Sequence, residues 1–178
     1  MGKRIIRKLG LITAIIFTCT GLFILYEILA PELAYHTDKP DEEQVIEYIE
    51  SEVELTENRL FIPSIGVDME IGEHKSSLDF GGWVQETNDD KIPNLIAVHR
   101  FGWSTLSPEK KIKLTLYHVN KLKQGDIVYI VWDKQLHTYE VNDIVTGTNN
   151  TQDNVDLAIY TCKFLNTNER IFVYLIKI

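Results

Sequence analysis

Two hydrophobic rhythms divide the chain. Residues 9–26 run without a single charge, and as a helix this stretch would measure about 27 Å, close to the hydrocarbon thickness of a bilayer. Lys3, Arg4, Arg7 and Lys8 precede it and only Glu27 follows closely, so the positive-inside bias predicts a cytoplasmic amino terminus with everything after residue 30 outside. A cleaved signal peptide has a shorter apolar region that ends in a small-x-small site. Here Pro31 follows Ala30, and Glu32 stands two places before Ala34, so neither alanine offers a good cleavage site. The reading is a basic cytoplasmic tail over 1–8 and an uncleaved signal anchor over 9–30.

Residues 31–58 are acidic and poor in large apolar side chains, the composition of a solvated stalk that cannot bury a core of its own. From residue 59 the texture changes to short β-branched and aromatic runs broken by Gly, Pro, Asn and Asp. Strands are expected at 59–62, 67–71, 95–99, 127–132, 135–145, 157–162 and 170–178, with 127–131 and 136–145 forming a hairpin. Loops are expected at 86–93, 101–113 and 146–156. Seven or more strands with little helical periodicity predict a mainly β domain over 59–178. Closure into a barrel of seven to eight strands, with short helices or loops, removes the exposed edges.

Charge and cysteine content narrow the function. The whole chain carries a net charge of −8, and the part from residue 31 onward carries 14 Lys plus Arg against 25 Asp plus Glu, a formal charge of 14 minus 25, or −11. That excludes an electrostatic footprint for nucleic acid. No Cys-x-x-Cys or His-Glu-x-x-His spacing occurs, which speaks against a metal site, and nothing calls for a cofactor. Only two cysteines exist, Cys19 in the membrane run and Cys162 in the β domain, and the two cannot meet in a disulfide. A lone thiol outside the cytoplasm therefore needs a reason, either as a small buried hydrophobe or as a reactive group.

Cys162 closes the apolar run that begins at Leu157, which puts it at a strand end, rigidly held and able to open onto a groove. Thiol acyl transfer also needs an imidazole for proton traffic and a donor for the oxyanion. Of five histidines, His99 is the best placed because it ends the apolar run starting at Leu95. His118 and His137 sit in ordinary amphipathic surroundings, and His36 and His74 lie in the stalk and in a charged turn. Arg59, Arg100 and Arg170 are the arginines of the domain. Arg100 is expected on the face opposite His99 if the strand continues. Arg170 opens the last strand, at the distance from Cys162 that a returning hairpin needs.

These residues resemble the motifs of sortases, the cysteine transpeptidases of Gram-positive-type cell surfaces, over about 59–178. Thr161-Cys162 matches the end of the family's Thr-Leu-x-Thr-Cys signature, Val98-His99-Arg100 its Gly-His-Arg block, and Arg170 the arginine of its closing strand. Residues 62–67, 78–83 and 122–126 add weaker matches. The sequence departs at Val98, where glycine is usual, and at Ala158, where threonine is usual. The resemblance implies a sortase-like β-barrel with Cys162 as nucleophile, His99 as general acid and base, and Arg170 as the oxyanion and substrate-positioning donor. Thr161 would assist the oxyanion. It also implies partners: surface proteins bearing a carboxyl-terminal sorting motif, and an amine acceptor such as a cell-wall precursor or a pilin lysine. With no second apolar span before Ile178, the expectation leans away from the pilus-polymerising type. Two alternatives compete: an L,D-transpeptidase, whose Ser-x-Gly-Cys context is not matched by Thr161-Cys162-Lys163, and a catalytically inactive, membrane-anchored binding module of the same fold.

Overall fold

The computed structural model describes residues 2–38, 47, 57–101, 106–150, 155–164 and 167–178. Helix α1 (Gly2–Asp38) opens the chain. Its stretch Gly10–His36 is long and apolar enough to cross a membrane, with a mean hydropathy of 2.0 and its most apolar window wholly unburied. Inside it the hydroxyls of Thr18 and Thr20 donate to the carbonyls of Ala14 and Ile16, both at 2.9 Å, which satisfies them without water.

The helix does not stop where the acidic composition begins. It runs through Pro31, which removes one backbone donor but leaves the helix continuous, and delivers residues 27–36 onto the β domain. Glu27 Oε2 lies 2.6 Å from Lys111 Nζ. Glu32 accepts from Lys121 Nζ and lies 3.2 Å from His118 Nε2. The Tyr35 hydroxyl donates to the Ser64 carbonyl at 3.0 Å, while its ring lies 4.5 Å from the His118 ring and 3.9 Å from Lys121 Nζ. Residues 31–38, read from sequence as the start of a stalk, are thus helical and seated on basic partners. Apart from Glu47, Glu57 and Asn58, the rest of that segment lies outside the described residues.

Eight strands follow: β1 (Arg59–Ile62), β2 (Val67–Gly72), β3 (Gly82–Thr87), β4 (Pro93–Val98), β5 (Ile127–Trp132), β6 (Gln135–Gly147), β7 (Leu157–Cys162) and β8 (Arg170–Lys177). They close into a barrel in the order β1-β2-β3-β4-β7-β8-β6-β5, so the expected closed β-barrel is what the chain forms. Gly66, in the left-handed region at φ 72°, ends the short 3-10 turn between β1 and β2. The β5–β6 hairpin turns on Asp133 and Lys134, both at positive φ, as its two-residue connection requires. Alternation fills the interior with Leu60, Ile62, Ile96, Ile130, Leu157 and Val173, all buried. A smaller apolar cluster of Ala158, Phe172 and Tyr174 lies on the outside of β7 and β8.

Three readings from sequence need correction. Strand β3 was not foreseen, because Gly-Trp-Val-Gln-Glu-Thr has only one β-branched apolar residue; its pairing with β4 supplies what its composition lacks. Residues 101–113 are not all loop, since helix α2 (Pro108–Leu114) occupies their end. Ser107 caps it by accepting from the Lys110 N–H at 3.3 Å, and Pro108 takes the first turn. His118 and His137 are not in ordinary amphipathic surroundings but buried.

Because the barrel closes without any strand from residues before 59, a fragment spanning 57–178 is expected to fold cooperatively. Loss of the Glu27 and Tyr35 contacts should lower its melting temperature by about 5–10 °C relative to the full chain. Thermal unfolding by circular dichroism checks this, and a fragment without a cooperative transition would make α1 part of the fold itself. Burial and then Lys121 hold the His118 imidazole below its ordinary value of 6.5, and burial and then Lys177 do the same for His137. The unfolded chain thus binds protons that the folded one refuses, so this part of the stability is complete above about pH 6.5 and is lost as pH falls through the folded values. The melting temperature should drop between pH 7.5 and 5.5, and less so in His137→Gln; an unchanged or higher value at pH 5.5 would contradict the assignment.

Candidate active site

Strand β7 carries Cys162 as its last residue, and its burial pattern fixes which way the thiol faces. Leu157 and Ile159 belong to the barrel interior, whereas Ala158 and Tyr160 belong to the outer cluster. Cys162 shares the parity of Ala158 and Tyr160 and is half-buried and unpaired.

Its antiparallel neighbour β8 begins with Arg170, and Cys162 and Arg170 are register partners. The Lys163 N–H donates to the Glu169 carbonyl at 3.0 Å, which makes the adjoining 162–170 pair the closely spaced, non-hydrogen-bonded kind, with side chains on one face. Arg170 Nη1 donates to the carbonyls of Thr167 at 2.8 Å and Glu169 at 3.2 Å. Half of the guanidinium fork is thereby anchored on the β7–β8 turn, and the ion pair of Lys163 with Glu169 at 3.3 Å closes the same turn.

On the other side β7 pairs in parallel with β4, Ala97 opposite Tyr160. His99 is two residues past Ala97 as Cys162 is two past Tyr160. Ala97 has the outward parity, while Ile96 and Val98 point into the core, and β4 ends one residue before His99. The His99 carbonyl accepts from the Leu116 N–H at 2.9 Å, fixing the chain where it leaves the strand. The strand order therefore makes the end of β4, one residue before His99, a neighbour of the β7 end that carries Cys162, and register puts Cys162 and Arg170 on one face. Tyr160 shares the outward parity of Cys162: its hydroxyl donates to Gln85 Oε1 at 2.7 Å, and burial pushes its phenol pKa up, with the Gln85 hydrogen bond and Arg170 opposing and Cys162 adding to the shift.

Thr161 falls on the inward parity. It is buried, and its Oγ1 has no hydrogen-bond partner, so its hydroxyl is not on the face that carries Cys162. Arg100 was expected on the face opposite His99 only if the strand continued, and β4 ends at Val98. Arg100 Nη1 donates to the carbonyl of Lys163, the residue after Cys162, because the chain leaves the strand geometry at His99 and the alternation that assigned the opposite face no longer applies. Its position directly after the candidate histidine was the one available signal.

A half-buried thiol with a guanidinium across one ladder, and an imidazole-bearing residue just past the end of the other, is an arrangement suited to nucleophilic attack on a carbonyl. No protein-family model and no curated protein sequence matches the chain. Solved structures do. Sortase C of Streptococcus pneumoniae is 25% identical over 69% of this chain and 67% of its own, with a TM-score of 0.52. Sortase C-1 of Actinomyces oris is 24% identical over 76% and 81%, with a TM-score of 0.53. Sortase C1 of GBS Pilus Island 1 is 20% identical over 87% and 82%, with a TM-score of 0.54.

The chain has the sortase fold. Within it, the two departures from the sortase motifs have packing explanations. Val98 is paired with Gly82, whose missing side chain leaves the room: a Cβ there would stand 3.4 Å from Val98 Cγ2 and 2.9 Å from Ile71 Cγ2. Ala158 is itself a buried member of the outer cluster with Phe172 and Tyr174.

Proposed function

We propose that this protein is a membrane-anchored cysteine transpeptidase that uses Cys162, His99 and Arg170. The observation that carries the reading is the register of β7 with its two neighbours, supported by the sortase fold. The substrates are surface proteins with a carboxyl-terminal sorting motif, and the acceptor is an amine of a cell-wall precursor or a substrate protein; the pneumococcal sortase C is itself described in terms of pilin substrate specificity. The apolar stretch of α1 anchors the enzyme, with its amino terminus in the cytoplasm and the barrel outside.

In the first half-reaction Cys162 gives its thiol proton to His99 as Sγ adds to the scissile carbonyl carbon, and the N–H groups of Arg170 not engaged with the β7–β8 turn receive the oxyanion. The C–N bond then breaks as His99 gives its proton to the leaving amine, and a thioester remains. In the second half-reaction the acceptor amine adds to the thioester carbonyl and passes a proton to His99. The C–S bond breaks, an amide forms, and the thiol is restored. Thr161 contributes through its backbone and by filling the core under the nucleophile.

Purified protein offered a library of sorting-motif peptides together with an amine should give a transpeptidation product and a covalent acyl-enzyme by mass spectrometry. Cys162→Ala should abolish both. His99→Ala and Arg170→Ala should each lower turnover by about 10²–10⁴-fold, and Arg170→Lys should recover only part because a point charge lacks the planar fork. His137→Gln, assayed well below its melting temperature, should stay within a few fold of the parent. Turnover that survives Cys162→Ala would refute the reading, and a thiol that never acylates across the library would favour the binding-module alternative.

A further inference from the structure

The β4–β7 ladder ends before the reactive positions: its last register pair is Ala97 with Tyr160. Past that pair the backbone of β4 turns to another partner, the His99 carbonyl accepting from Leu116. Among the described residues, the hydrogen bond that joins the two strands beyond their ladder is made by a side chain. Arg100 Nη1 donates to the Lys163 carbonyl, so one guanidinium bridges the residue after His99 to the residue after Cys162.

We infer that Arg100 is a positioning residue, which sets the His99 imidazole against the Cys162 thiol by tying the end of β4 to the end of β7. The inference rests on the proposed roles of those two residues. Three features give it support. The guanidinium is held by packing on its own side, 5.1 Å over the Phe101 ring, which in turn meets Tyr117 edge-on at 6.1 Å. Its Nε is buried without a partner, so the side chain keeps this pose although one donor goes unsatisfied, which a surface charge serving solubility would have no need to do. The bridged carbonyl also belongs to Lys163, whose N–H fixes the β7–β8 turn beside Arg170. One cross-link therefore ties the imidazole-bearing segment to the turn that holds both thiol and guanidinium. Small displacements between reacting groups are expensive, about 10²-fold in rate for roughly 1 Å.

The experiment uses the full-length chain in detergent micelles, with Cys19→Ala as the parent so that alkylation reports Cys162 alone. Arg100→Ala, Arg100→Gln, Arg100→Lys and His99→Ala are compared by the rate of iodoacetamide alkylation at pH 7 and by kcat and KM in the peptide-plus-amine assay. Arg100→Ala should lower kcat by about 10²-fold with KM within about threefold. It should also move the alkylation rate in the same direction as His99→Ala. Arg100→Lys should recover part of both losses, since an ammonium can reach the carbonyl with a single donor. Should Arg100→Ala fail to fold, the ranking of Arg100→Lys above Arg100→Gln carries the same test. Folded Arg100→Ala with the parent's kcat and alkylation rate overturns the inference and leaves the site reading intact, provided His99→Ala alters the thiol. Equal loss in the Lys and Gln variants reduces Arg100 to packing and overturns it as well. Parent-like alkylation in His99→Ala overturns the site reading and, with it, the inference.

Discussion

Strand β7 is hydrogen-bonded in parallel to β4 and antiparallel to β8, and those two ladders pair Cys162 with Arg170 and bring the end of β4, one residue before His99, beside β7. What fixes the ladders is apolar burial. Leu157 and Ile159 must face the barrel interior with Val173 and Leu175, and strand alternation then turns Tyr160 and Cys162 outward. A slip of one residue would drive the thiol into the core and expose Ile159. The core thus sets the site's geometry, and the mechanism inherits its precision from packing. Because β4 and β7 are parallel, their ends point the same way, and a long crossover through α2, β5 and β6 must lie between them. The antiparallel partner contributes the opposite arrangement, its first residue meeting the last residue of β7.

A second constraint joins the membrane helix to the barrel. Acidic side chains that leave a segment unable to build a core can still be ordered when a folded neighbour offers basic partners. Glu27 and Glu32 find them in Lys111, Lys121 and His118, and Tyr35 supplies the aromatic surface. Lys111 is itself buried, a position a lysine keeps only when its charge is paired. The helix that is long and apolar enough to cross a membrane is therefore also the helix that seats against α2 and the turn around His118.

Much of the fold was legible because the barrel obeys the simplest strand rule. Seven of its strands show as runs with β-branched and aromatic residues, and the β5–β6 hairpin shows through a short polar step. Strand β3 did not, since its order comes from neighbours rather than from composition, and α2 is too short for helical periodicity to stand out from a loop. Cys162 and Arg170 were readable as a local hairpin pair. The neighbourhood of β4 and β7 needed a parallel pairing across more than sixty residues, which no local pattern encodes. The role of Arg100 lay outside both, because alternation fails where a strand ends. The docking of α1 was hidden for a related reason: a charge run looks solvated until its counter-charges, distant in sequence, are brought to it.

The central claim is that the ends of β4, β7 and β8 place their reactive residues side by side, and disulfide trapping tests it most directly. In a Cys19→Ala background, Arg170→Cys puts a second thiol at the register partner of Cys162, and His99→Cys puts one two residues past the last β4–β7 pair, as Cys162 is on its own strand. Mild oxidation followed by intact-mass analysis should find both variants cross-linked to Cys162. Closure with Arg170→Cys alone, with His99→Cys remaining a free thiol, would leave the barrel standing and contradict the site.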